Sequence, residues 1–266
     1  MNTEYDVIIS LVGFIPMQHQ AVVQQQMQDG NVAVLFYGIN DITAVYNEIS
    51  INKINLEKLE EIFADLTILT PYLYKHEEIL EIIMRYSPVF PVQFGSFFSS
   101  SAALAAQAIK HHKLINRVLD EVDNQAEWSV KGYLEQTKAT DKFFTTLLQE
   151  RQEQLINVAP GLRYLKEQHV RSEIKNQLGF YLQPIYQTIL EQISGFTTNF
   201  GERQIIPRDS VDNQELILNW AFLVNNDKIK EFNELIKHIN DNYDDYGIHF
   251  SLTGPWPPYS FCRWDK

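Results

Sequence analysis

The chain carries one cysteine, Cys262, in 266 residues. No internal disulfide can form, and this sparing use fits a reducing compartment. Basic residues are also scarce: 22 Lys and Arg stand against 34 Asp and Glu, giving a net charge of −12. Such a field repels phosphate backbones and anionic lipid, so neither nucleic acid nor a membrane is expected as a partner. No uninterrupted apolar run approaches the roughly 20 residues that a bilayer-spanning helix needs. Met1-Asn2-Thr3-Glu4-Tyr5-Asp6 lacks the basic flank of a signal peptide. These absences lead to the expectation of a soluble, cytoplasmic protein.

Signatures of chemistry are missing as well. There is no P-loop, no glycine-rich dinucleotide fingerprint, no HExxH and no G-x-S-x-G elbow. His111 and His112 are adjacent, so on a helix they diverge and cannot chelate one metal as an i, i+4 pair would. His76 falls on the apolar face of a helical pattern, which predicts a satisfied core or boundary histidine rather than a general base. Arg263 beside Cys262 favours a thiolate, but no histidine is near in sequence, so a bystander thiol is expected. The acidic runs at 57–61 and 241–245 lack the spaced ligands, central glycine and closing glutamate of a calcium loop. Lys166, Arg171 and Lys175 alternate with Glu167 and Glu173, as on a salt-bridged helix surface. The sequence therefore predicts no enzyme, no cofactor and no metal site.

What is present is apolar and aromatic. A 45% hydrophobic and 12% aromatic content supports a sizeable core in one large or two ordinary domains. The first half reads as strands at 7–12, 32–37 and 42–46, with a hairpin link at 38–41. Helical spacing follows at Leu56, Leu59, Ile62, Phe63 and Leu66, then again after Pro71 through Leu73, His76, Leu80, Ile83 and Met84. Pro88 and Pro91 force an extended stretch at 89–98. Ser99-Ser100-Ser101 can cap a helix whose face is Leu104, Ala108, Ile115, Leu119 and Val122.

The second half reads as a strand at 127–134 and two helical arms. Phe143, Leu147, Leu148 and Leu155 mark the first arm; the second runs from Leu165 to Ile189, with a kink or a join expected at Pro184. Extended chain at 195–206, a strand at 216–224, a helix with Ile229, Phe232, Leu235, Ile236 and Ile239, and a strand at 248–252 complete it. The fold class is thus α+β in two domains. An N-terminal α+β domain covers 1–123. A C-terminal domain covers 124–266, in the order β-α-α-β-β-α-β. That is a ferredoxin-like (βαββαβ) pattern with its first crossover enlarged into a helical pair.

Two stretches stand out. Gly254-Pro255-Trp256-Pro257-Pro258-Tyr259-Ser260-Phe261 packs three prolines and three aromatics into eight residues, so its backbone is stiff and cannot be a helix interior or central strand. Phe90, Phe94, Phe97 and Phe98 cluster around Pro91 and Gly95. A rigid aromatic segment either closes a core or presents a recognition surface at low entropic cost.

These stretches also carry a resemblance. Leu252 to Phe261 resembles the C-terminal signature of the gas vesicle protein GvpF/GvpL family. His76-Glu77-Glu78-Ile79-Leu80 with Val89-Phe90-Pro91-Val92-Gln93-Phe94-Gly95-Ser96 is similar to that family's "He-vl" helix and "P-v-r-F-G-t" strand. Gln93 stands where an arginine is expected. Glu127-Trp128-Ser129-Val130-Lys131 and Pro160-Gly161-Leu162-Arg163-Tyr164-Leu165 are similar to its "E-w-x-v-K" strand and "s-G-x-a-Y-L" helix start.

The resemblance implies an accessory, minor structural protein of gas vesicle formation. Its implied partners are the hydrophobic shell protein and other accessory proteins, and its implied location is the vesicle in the cytoplasm. Phe94, Phe97, Trp256, Tyr259 and Phe261 are the expected partner-binding residues. The alternative from the residues alone is a small-ligand-binding regulatory module on a ferredoxin-like sheet.

Overall fold

The computed structural model describes residues 7–50, 66–150, 158–205 and 214–262. Leu56, Leu59, Ile62, Phe63, the acidic run at 57–61, Leu155, Arg263 and Trp264 lie outside the described residues. Helices and two antiparallel sheets make up the chain, which divides into two compact units, 1–127 with 255–266 and 128–254. The tail from Pro255, read with the second half, thus counts with the first unit.

The first unit is built around β1 (Val7–Pro16). Residues 9–15 of this strand are buried without alternation, which requires cover on both faces. β3 (Ile42–Ser50) runs antiparallel to it from Val7↔Ser50 to Pro16↔Ile42. β2 (Leu35–Ile39) pairs with β3 through a turn at Asn40-Asp41. Asn40 sits at φ 56, a left-handed conformation that asparagine tolerates. The second strand starts later than the apolar run suggests, because Val32 and Val34 pack on the core from the preceding loop.

The other edge of β1 takes two short strands in turn. β4 (Phe90–Pro91) pairs with Gly13 and Phe14, and β5 (Phe97–Phe98) with Ile9 and Ser10. The register of β1 shifts between Leu11 and Gly13. A Cβ at Gly13 would lie 2.7 Å from the Phe90 carbonyl oxygen, so this close approach depends on glycine.

Helices α1 (Gln20–Asp29) and α2 (Leu66–Met84) pack on the sheet. Val23 and Met27 from α1 and Ile79, Leu80 and Ile83 from α2 share one cluster with Val12, Ile15 and Val45. α2 passes through Pro71 instead of starting after it. Pro71 is exposed near the first described turn, where its missing N–H forfeits a bond only to a carbonyl within water's reach. α3 (Ser101–Glu121) lies against β1, β2, β4 and β5. Its N-cap is Ser100, whose Oγ accepts from Ala103 N–H at 3.2 Å.

The second unit holds β6 (Gln125–Leu134), α4 (Gln136–Glu150), α5 (Pro160–Ser194), β7 (Thr197–Glu202), β8 (Glu215–Asn225), α6 (Ile229–Tyr243) and β9 (Ile248–Trp256), in the sheet order β7-β8-β6-β9. Its core holds a cluster of aromatic rings among aliphatic side chains. Trp220 stacks on Phe250 at 6.2 Å, and Phe222 meets Phe200 at 5.1 Å and Phe232 at 6.2 Å. The amide of Asn240 on α6 bridges to Phe250, donating to its carbonyl at 2.9 Å and accepting from its N–H at 2.7 Å. That pairing covers part of the β9 edge. The bend in α5 falls at Gln177 (φ −118°, ψ 17°), not at Pro184. Pro184 and Phe180 are both exposed, so the carbonyl that Pro184 leaves without its helical donor faces solvent.

Candidate functional site

The proline-rich tail ends β9 in a tight coil. Tyr259 N–H donates to Pro257 O at 2.6 Å, and Phe261 and Cys262 N–H donate to Pro258 O at 3.0 and 3.1 Å. Pro257, Pro258 and Cys262 are buried, Tyr259, Ser260 and Phe261 half-buried, and Trp256 is 46% exposed. Two acidic side chains hold this coil. Tyr259 Oη donates to Glu77 Oε1 at 2.9 Å while its ring packs on the α1–α2 cluster. Ser260 N–H donates to Glu127 Oε2 at 2.8 Å, and its Oγ–H to Oε1 at 3.0 Å. Glu127 has no exposed surface. A carboxyl group so placed persists only because donors reach it.

The residue before Glu77 anchors the phenylalanine cluster. His76 is 3% exposed, and its Nε2–H donates to Val92 O at 2.9 Å, which fixes the tautomer. Its ring meets Phe94 edge-on at 5.6 Å, and Phe94 meets Phe97 at 6.3 Å. Neighbouring α2 residues therefore serve both aromatic stretches: Glu77 takes the tail and His76 the 90–98 segment. Phe94 and Phe97 touch each other, and both remain half-buried.

Burial sets the electrostatics here. It lowers the His76 pKa, with the Val92 carbonyl opposing, so the ring is neutral near pH 7. It raises that of Glu77, with the Tyr259 hydroxyl opposing and Glu81 adding. The Tyr259 phenol is pushed up by burial and then by Glu77. The Cys262 thiol is pushed up by burial and by the charges of Glu127 and Glu121, which keeps it protonated and unreactive. His76 and Cys262 are thus the packed groups that their sequence context predicts.

The other polar clusters are structural. His112 and Asn116 on α3 bond the two oxygens of Asp41, pinning the β2–β3 turn; the Asn116 bond is 2.8 Å. The hydrogen bond from His112 is the main cause holding the Asp41 carboxyl below its usual range. In the run at 241–245, Asp244 pairs with Lys138 at 2.7 Å and Asp245 with Lys142 at 2.9 Å, all at the surface. Among the described residues no group of three His, Cys, Asp or Glu is placed to hold a metal ion. Among them, too, no helix is long and apolar enough to cross a membrane.

Sequence reasoning did not find Glu77, Glu127 and Ser260. A glutamate between Ala126 and Trp128 in an otherwise apolar strand start was the available signal, since an inward carboxyl needs donors from elsewhere.

The model of the family described as gas vesicle synthesis protein GvpL/GvpF matches residues 13–263. The chain belongs to this family. Every stretch that suggested the GvpF/GvpL resemblance lies inside the match. The chain is 22% identical over 229 residues to gas vesicle protein L of Streptomyces sp. (strain CB03234), covering 84% of this chain and 80% of the relative. It is 24% identical over 197 residues to gas vesicle protein F of Dolichospermum flosaquae, covering 73% and 78%. The fold is similar to the crystal structure of GvpF from Anabaena sp. PCC7120, with a TM-score of 0.66 at 16% identity over 98% of both chains. GvpF from Microcystis aeruginosa gives 0.63 at 17%, over 97% of this chain and 99% of that one. Membership in the GvpL/GvpF family gives the chain a role in gas vesicle formation.

Proposed function

We propose that the chain is an accessory, minor structural protein that binds the hydrophobic shell protein, and other accessory proteins, during vesicle assembly in the cytoplasm. It acts by holding partners, not by turnover. The observation that carries this reading is the setting of Trp256: a half-exposed indole between two prolines, followed at once by a coil fastened through Tyr259 and Ser260. A rigid exposed indole loses little entropy on binding and is a favoured anchor at interfaces. Phe94 and Phe97, tied to His76, and the half-buried Phe261 supply further apolar area. Tyr259 contributes by holding the coil, since its ring belongs to the core. The strong negative charge helps a protein with such a surface to stay dissolved.

The strand order β7-β8-β6-β9 and the alternation βααββαβ support reading the second half as a ferredoxin-like domain with an enlarged crossover. The sequence boundary near 123 lies close to the division at 127.

The test is pull-down of the major shell protein by Trp256→Ala and by Phe94→Ala with Phe97→Ala. Near-UV circular dichroism would check that each variant keeps its packing. Both should capture several-fold less shell protein than the unaltered chain. Full capture by folded variants would refute the contact role.

A further inference from the structure

α5 begins outside the core. From Pro160 to His169 no residue is buried, and Val170 is the first that is. Leu162, Tyr164 and Leu165 are 53%, 61% and 64% exposed there. Such a cluster of large apolar side chains on one helical end is atypical of a surface left in water. Its charge is also atypical for this molecule. Up to the bend at Gln177, α5 has four basic residues (Arg163, Lys166, Arg171, Lys175) and two acidic (Glu167, Glu173), and with Arg171 paired to Asp141 of α4 a local excess of one positive charge remains on a chain of −12.

On a strongly anionic protein, most surfaces repel a second copy, and a cationic one attracts it. The first unit carries a surface of matching type. On α2, Tyr74, Glu78 and Glu81 form one exposed stripe at i, i+4 and i+7; Tyr74 is 73% exposed. α2 has three glutamates and one lysine, an excess of two negative charges.

We infer that the N-terminal end of α5 in one copy of this chain docks on the outer stripe of α2 in a second copy. Leu162 and Leu165 pack against Tyr74, with Lys166, one turn on from Leu162 on the same face, opposite Glu78 and Glu81. The contact joins two different surfaces, so each added copy still offers one free end of each kind, and association runs head to tail.

Sedimentation velocity of the full chain alone tests it without any other vesicle protein. The mass should rise with concentration, and less steeply at high salt. Leu162→Glu with Leu165→Glu should weaken association by at least about tenfold. Lys166→Glu, and separately Glu78→Lys with Glu81→Lys, should each do the same, because like charges then face each other. Mixing these two charge-reversed variants should restore association, which a merely damaged fold could not do. A chain monomeric at every concentration would overturn the inference. So would association that survives both reversals, or a mixture that fails to re-associate.

Discussion

Ser260→Ala isolates one hydrogen bond into a carboxyl group that water does not reach. The alanine keeps the Ser260 N–H bond to Glu127 Oε2 at 2.8 Å and deletes only the hydroxyl that reaches Oε1 at 3.0 Å. Because Glu127 is fully buried, bulk water does not replace the lost donor. Leaving a buried acceptor short of a donor costs about 1–3 kcal/mol. A chain of this size loses roughly 2–4 °C in Tm per kcal/mol. A loss of about 2 kcal/mol therefore predicts a melting temperature lower by about 4–8 °C. The assay is thermal unfolding followed by near-UV circular dichroism, with urea unfolding for the free energy. Glu127→Ala orphans both Ser260 donors and should lose more. The double variant should be barely worse than Glu127→Ala, since the hydroxyl then has no carboxyl to bind. A Ser260→Ala protein that melts with the unaltered chain, or losses that simply add, would refute this account of the tail.

Two further outcomes follow from the same geometry. Burial raises the Glu77 pKa above its ordinary 4.5, so the folded chain holds that proton to a higher pH than the unfolded chain does. Stability is then lost as pH rises through the window between the two values, and Glu77→Gln, which still accepts from Tyr259, removes that loss. The variant should gain on the unaltered chain in urea midpoint from about pH 4 towards pH 7, and a pH-independent difference would contradict it. Gly247 lies at φ +68° with a built Cβ 2.6 Å from the Glu135 carbonyl oxygen. Gly247→Ala should destabilise by about 1–3 kcal/mol, and an unchanged urea midpoint would show that the turn has room.

Local patterns were legible in the sequence. The apolar run at 7–12 marked the buried central strand, the serines at 99–101 marked the start of α3, where Ser100 is the cap, and Phe232, Ile236 and Ile239 marked the inner face of α6. The order of elements in the second half was readable because each announces itself through its own period. The stiffness of the tail was readable from its prolines, but its destination was not. Tyr259 reaches a partner 182 positions away and Ser260 one 133 positions away, and single hydrogen bonds at such separation leave no periodic trace. The bend in α5 was misread at Pro184 because proline alone was weighed, whereas the helix yields at Gln177, where no residue type signals it.

Because translation runs from the N-terminus, the two Ser260 donors to Glu127 are made 133 residues after it. The first 127 residues leave the ribosome with a carboxyl group lacking Ser260 and an α1–α2 cluster lacking the ring of Tyr259. The first unit therefore completes its packing only once the tail from Pro255 has been made. A chain ending before Pro255 lacks the Tyr259 and Ser260 contacts to Glu77 and Glu127, a difference that quality-control machinery can use to single it out.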